Sequence, residues 1–280
     1  MTSPKVVREL MAQFGIAPLK KYGQNFLIDG NIAGKIAQAA LPQGACALEV
    51  GPGLGGLTQR LLGRSSAVAA YEIDAGLVRA LKDTFADEER LTLYHEDFLK
   101  ADLAAQLLPV FGDADIYVAA NLPYYITSPC IMKLVESGLN IARITVMIQK
   151  EVAERISAGP GSRAYGAISA AVQYFAKPKM LFKVSPDCFY PKPDVHSAVL
   201  SLEMGDYDAA KAPLYLKTVK GLFAKRRKTV RSNLRDSFEM TLEDAKTVMK
   251  RAQIEENARA EMLSVSDFMR IGEEIENNLK

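Results

Sequence analysis

Alternation of short apolar runs with helical stretches constrains this chain more than any single residue does. Residues 45–50, 67–73, 91–94, 116–120 and 144–148 are rich in Val, Ile, Leu, Ala and Tyr, and each is short enough to be a buried strand. Between them, residues 54–62, 77–85, 101–108 and 129–137 carry the spacing of helices. A strand feeding a helix feeding a strand returns to the same sheet as a right-handed crossover, so the pattern predicts an α/β fold with a mostly parallel sheet.

Further along, residues 150–156 and 167–175 read as helices around a Gly159-Pro160-Gly161-Ser162 loop, and residues 198–203 alternate like a last strand. The sheet is therefore expected to close near residue 204. After the turn Gly205-Asp206-Tyr207-Asp208 the strand signals vanish and three or four helices follow. One of them opens at Ser264, with Asp267 three residues on as an Asp variant of the capping box. Two domains are expected, residues 1–204 built on the sheet and residues 205–280 all-helical.

At 49% hydrophobic and 24% charged, 280 residues make an ordinary globular protein, and a net charge of +2 leaves any nucleic-acid contact to local clusters of basic residues. Cys46, Cys130 and Cys188 are widely spaced, and with only His95 and His196 beside them no metal-ligand spacing arises. A reduced, metal-free cytosolic protein is expected. The first 30 residues contain no apolar signal-like core, and no 18-residue uncharged apolar stretch occurs, so neither signal peptide nor membrane span is expected.

The first strand runs into Glu49-Val50-Gly51-Pro52-Gly53-Leu54-Gly55-Gly56, a literal G-x-G-x-x-G through Gly51, Gly53 and Gly56. Such a turn lets a ligand approach the backbone, and in a dinucleotide site it faces a pyrophosphate. Glu49 points to a different ligand, because its carboxylate repels phosphate and can accommodate an ammonium group, as S-adenosylmethionine carries. Glu72, ending the second strand, is placed to accept hydrogen bonds from two ribose hydroxyls of either ligand. Asp97, after the third, can accept from an adenine amino group with Phe98 alongside the ring. With Asn121, an acid or amide ends four successive strands, and loops at the carboxyl ends of parallel strands share one crevice.

The fourth strand ends in Asn121-Leu122-Pro123-Tyr124. An amine conjugated to a purine is a poor nucleophile, so an enzyme that alkylates it must hold its N–H groups on fixed acceptors. Asn121 and the Leu122 or Pro123 carbonyl can serve, Pro123 stiffens the turn, and Tyr124 offers a face for a flipped-out base. The segment points to methylation of adenine N6.

On these residues the chain resembles, over nearly its whole length, the small-subunit ribosomal RNA adenine dimethyltransferases, which methylate two adjacent adenosines near the 3′ end of that RNA. Their G-Q-N-F-L segment is present as Gly23-Gln24-Asn25-Phe26-Leu27, and their F-x-P-x-P-x-V-x-S segment as Phe189 through Ser197. The resemblance implies a class I S-adenosylmethionine-dependent methyltransferase fold with a small helical domain. It places Asn25, Leu27, Gly51, Glu72, Asp97 and Asn121 in the cofactor pocket, beside which Gln24, Glu49 and Gly53 are expected. Ile73 and Phe98 are expected to complete that pocket, and the resemblance implies that Phe189 flanks the target base opposite Tyr124.

Between Lys217 and Arg235 stand eight basic residues and no acidic one. Phe223 through Leu234 resembles the family's F-x-x-R-R-K-T-L-R-N-N-L signature, departing at Val230 and Ser232. Leu216, Val219, Leu222, Phe223, Val230 and Leu234 recur at roughly helical spacing beneath the charges, so Lys225, Arg226, Arg227, Lys228 and Arg231 are expected to face RNA phosphates. The small ribosomal subunit is the expected partner, and a monomer would suffice. Three alternatives stay open. The macrolide-resistance large-subunit rRNA methyltransferases share the catalytic half but usually carry Ile where Leu122 stands. A non-catalytic subunit-assembly checkpoint would need only the basic face, and a NAD-dependent oxidoreductase is disfavoured by Glu49.

Overall fold

The computed structural model describes residues 2–17, 24–225 and 227–279, which form two compact units, Met1–Ala153 with Lys177–Met204 and Glu154–Ala176 with Gly205–Lys280. The first opens with helix α1 (Pro4–Gln13), capped by Ser3, and the two-residue strand β1 (Phe26–Leu27). Asp29 then starts α2 (Gly30–Ala40) by accepting from the Asn31 and Ile32 amides at 2.8 and 3.1 Å.

Alternation follows as expected: β2 (Cys46–Val50), α3 (Thr58–Leu62), β3 (Ala67–Glu72), α4 (Ala75–Thr84), β4 (Leu91–His95), α5 (Leu103–Phe111), β5 (Ile116–Asn121), α6 (Thr127–Val135) and β6 (Ile141–Gln149). The helix expected over residues 54–62 begins only at Thr58, because Gly51, Gly53 and Gly55 hold φ of 70°, 59° and 81° and spend the preceding residues in a turn. Gly55 is also closely covered: a Cβ there would lie 2.6 Å from the ring of Phe85, which would have to move.

The chain continues through α7 (Lys150–Ile156) and α8 (Ala167–Phe175) to β7 (Ala176–Val184), β8 (Phe189–Tyr190) and β9 (Ser197–Met204). The main sheet has the order β4-β3-β2-β5-β6-β9-β7, while β1 pairs with β8 in a small ribbon. Its first five strands are parallel and β9 runs antiparallel to β6. Strand β7 was not anticipated, since its Lys177, Lys179 and Lys183 interrupt any apolar run; such lysines are usual on a sheet edge.

The helical unit holds α9 (Ala212–Leu222), α10 (Val230–Phe238), α11 (Leu242–Arg251) and α12 (Val265–Leu279). The box at Ser264 is formed: the Ser264 amide donates to Asp267 at 2.8 Å and the Asp267 amide to the Ser264 hydroxyl at 3.2 Å. Residues 154–176 belong to this unit rather than to the sheet unit in which the sequence pattern places them. Aromatic packing is the cause, for Tyr174 stacks on Tyr215 with ring centroids 4.2 Å apart. In addition, the Tyr215 hydroxyl donates to the Ala170 carbonyl at 2.9 Å, and that of Tyr165 to the Leu263 carbonyl at 3.0 Å.

Candidate active site

Parallel pairing aligns the strand ends. Val50 of β2 stands level with Tyr71 of β3 and Ala120 of β5, and Glu72 with His95 of β4. Strand β2 is also where the chain reverses direction across the sheet, passing to β3 and β4 on one side before returning to β5 on the other, the position at which open α/β sheets leave a crevice. A cavity of about 250 Å³ opens there. Every residue expected in the cofactor pocket lines it: Gln24, Asn25, Leu27, Glu49, Gly51, Gly53, Glu72, Ile73, Asp97, Phe98 and Asn121. Gly23 lies outside the described residues.

The walls carry four carboxylates, Glu49, Glu72, Glu96 and Asp97, and among the described lining residues no Lys, Arg or His. Glu49 is 1% exposed and accepts from the Thr58 hydroxyl at 2.6 Å. Burial, and to a lesser degree Glu72, push its carboxyl up to about 8 against the Thr58 bond. Glu72 accepts from the Asp74 amide at 2.9 Å and the Gly53 amide at 3.2 Å, yet burial still raises it to about 7. Glu49 and Glu72, both buried and with no cation among the described lining residues, make a wall that a positively charged ligand relieves and a pyrophosphate aggravates. S-adenosylmethionine, with its ammonium and sulfonium, fits this donor set.

Asp97 is held by accepting from the Leu99 amide at 3.0 Å, and Phe98 packs edge-on against Tyr71 with centroids 5.6 Å apart. Glu96, unanticipated as a lining residue, accepts from the Gln106 side chain at 2.7 Å. Thr58 and Tyr125 were also missed. Nothing in local spacing marks Thr58, whereas Tyr125, at 56% exposure beside the cavity, is visible as the second ring of the Pro-Tyr-Tyr triplet.

On the acceptor side, the Asn121 amide nitrogen donates to the Asn25 carbonyl at 3.0 Å, leaving the side-chain oxygen as the acceptor. The Pro123 carbonyl already takes the Ile126 amide at 3.2 Å and the Thr127 hydroxyl at 3.3 Å. Leu122 is buried, and Tyr124 lines the cavity with its hydroxyl 2.9 Å from that of Ser197. Phe189 is placed differently from expectation. It is 3% exposed, sits opposite Leu27 in the small ribbon, packs with Val184 and Val199, and is not among the cavity's lining residues. A ring so enclosed is part of the core that backs β1, whose Leu27 lines the cavity.

A family model for ribosomal RNA adenine dimethylases matches residues 18–277. The chain belongs to this family. It is 40% identical over 274 residues to the ribosomal RNA small subunit methyltransferase A of Alkaliphilus oremlandii, covering 96% of this chain and 95% of that one. Against the protein of the same name from Enterococcus faecalis it is 39% identical, covering 99% and 97%. Two solved structures share the fold: a dimethyladenosine transferase from Plasmodium falciparum, with a TM-score of 0.72, 24% identity and coverage of 90% and 98%, and the 23S rRNA methyltransferase ErmE, with 0.67, 22%, 90% and 100%. The sheet unit is thus the class I S-adenosylmethionine-dependent methyltransferase fold typical of this dimethylase family, accompanied by a helical unit.

In that helical unit the basic run is two helices and a turn. Lys225, Arg227 and Lys228 lie in the turn between α9 and α10, and Arg231 in the first turn of α10; Arg226 lies outside the described residues. Buried Asn233 fixes the turn by donating to the Leu222 and Lys225 carbonyls at 2.6 and 3.3 Å. Although the run itself contains no acid, Lys225 pairs with Asp236 at 2.6 Å and Arg231 pairs with Glu256. Arg227 and Lys228 are exposed. Among the described residues no cluster of His, Cys, Asp and Glu could hold a metal, and no helix is long and apolar enough to cross a membrane.

Proposed function

We propose that this dimethylase transfers methyl groups from S-adenosylmethionine to N6 of two adjacent adenosines near the 3′ end of small-subunit ribosomal RNA, in the course of ribosome biogenesis. The observation that carries the reading is an amide acceptor, Asn121, fixed beside a cavity walled by buried carboxylates. When bound, S-adenosylmethionine supplies a methyl group already activated on sulfonium.

The chain's own task is alignment. Glu49 faces the ammonium, Glu72 takes the ribose hydroxyls, and Asp97 with Phe98 and Ile73 takes the adenine. Asn121 Oδ1 accepts one N6 hydrogen of the target base. The second acceptor is assigned to the Leu122 carbonyl, because that of Pro123 already holds two donors. Both acceptors draw electron density toward N6 as its lone pair leaves conjugation, while Tyr124 stacks on the extruded ring and Tyr125 shields its solvent side. The turn at Arg227 and Lys228 contacts RNA phosphate, so residues 205–280 serve chiefly for docking. On this reading the protein works in the cytoplasm, and the proposed cofactor and acceptor groups all come from one chain, so a monomer suffices.

Small-subunit RNA is favoured over large by Leu122 and by the near full-length similarity to small-subunit methyltransferases. Nucleosides from a bacterial strain lacking this modification, complemented with the chain, test the assignment. Dimethyladenosine restored in the small-subunit RNA supports it, and modification of the large-subunit RNA replaces it with the resistance-type reading.

A further inference from the structure

The proposed stacking ring of Tyr124 sits in a short turn, residues 124–126, outside the sheet. The two donors on the Pro123 carbonyl hold the backbone of this turn, but they do not fix χ1 of Tyr124. Ser197, however, opens strand β9, is fully buried, and lies opposite Gln149 in the antiparallel pairing with β6. Its neighbour is pinned as well, the His196 carbonyl accepting from the Lys150 amide at 2.9 Å. The Ser197 hydroxyl is thereby a fixed point of the sheet, and the Tyr124 hydroxyl hydrogen-bonds to it at 2.9 Å across 73 positions of sequence.

We propose that Ser197 is a positioning residue for the target adenosine: it anchors the far end of the Tyr124 ring and so keeps the stacking face at the cavity wall before the base arrives. A bond at the para position leaves the ring free to flip about its own axis but blocks the swing about χ1 that would carry it off the wall. A platform already ordered does not spend binding energy on being ordered. The inference also gives the final serine of the F-x-P-x-P-x-V-x-S segment a task that the bare sequence does not explain. It rests on the reading of Tyr124 as the base-stacking residue.

A double-mutant cycle on methyl transfer to small ribosomal subunits tests it, using Ser197→Ala, Tyr124→Phe and the pair, with Tyr124→Ala alongside. Each of the two single variants removes one side of the bond and keeps the ring, so each is expected to lower kcat/KM for RNA by about fivefold, the scale of one hydrogen bond. Calorimetric affinity for S-adenosylmethionine should stay unchanged, and the pair should lose no more than either single variant. Losses that multiply, or a loss in S197A that Y124F does not reproduce, would show that Ser197 acts through general packing and would overturn the proposal. Full activity in S197A beside a damaged Y124A would overturn it while leaving the stacking role of Tyr124 intact. Full activity in Y124A removes that role and the proposal with it.

Discussion

The cavity at the strand ends and the basic turn of the helical unit are built in opposite ways. In the cavity the polar side chains are tied: Glu49 to Thr58, Glu72 to two amides, Asp97 to Leu99, Asn121 to Asn25 and Tyr124 to Ser197. In the turn, buried Asn233 fixes the backbone while Arg227 and Lys228 extend into solvent, and Lys225 and Arg231 hold exchangeable ion pairs. Methyl transfer between two small groups needs atoms held in line, which rewards rigidity. Capture of a polyanion needs charge that water and salt can reach, and tolerates movement. Substitutions in the first region should therefore change chemistry or one defined affinity, and substitutions in the second should change salt dependence.

The largest break in this contrast is expected at Asn121. Asn121→Ala removes a preorganised acceptor and should slow single-turnover transfer by about 100- to 1,000-fold, the scale of losing one such group, with a much smaller loss of calorimetric cofactor affinity. Comparable loss of both would make Asn121 a cofactor ligand only. Next, Glu72→Ala should weaken S-adenosylmethionine by roughly 1.5–3 kcal/mol, the worth of hydrogen bonds to a charged group, and the rate should recover at saturating cofactor. Tyr124→Ala should cost roughly 1–3 kcal/mol in RNA capture and leave cofactor affinity in place.

A smaller effect concerns pH. Glu49 and Glu72 have carboxyls raised to about 8 and about 7, above their unfolded values, so in this range the folded protein binds more protons than the unfolded chain and its stability falls as pH rises toward 8. A cationic ligand prefers the ionised carboxylates. Cofactor affinity should therefore rise between roughly pH 6 and 7.5, below the titration of an α-amino group, and binding should release protons. Calorimetry in buffers of different ionisation enthalpy reads that release, and Glu49→Gln should reduce it. The smallest effect at low salt is expected from Arg227→Ala and Lys228→Ala. Each should flatten the salt dependence of RNA binding by about one counterion while leaving cofactor affinity unchanged.

The same contrast explains what the sequence made legible. Strand period, glycine turns and the acid or amide closing each of four strands are local signals, and all four groups do converge on the cavity. The Ser264 box and the helices at residues 150–156 and 167–175 were local too. What escaped was set by distant partners. The Tyr124 to Ser197 bond and the Asn121 to Asn25 bond span 73 and 96 positions. Residues 154–176 join the helical unit through rings elsewhere in the chain. The acids that neutralise Lys225 and Arg231 lie beyond the end of the basic run. Phe189 carries an aromatic signature in its motif, but its burial depends on the pairing of β1 with β8.

The most direct test of the account is transfer of labelled methyl from S-adenosylmethionine by the purified chain to unmethylated small ribosomal subunits, with large-subunit RNA in parallel and positions mapped by reverse-transcription stops. The account predicts label confined to two adjacent adenosines near the 3′ end of the small-subunit RNA, each carrying two methyls. Label in the large-subunit RNA, or tight subunit binding without label, would contradict it.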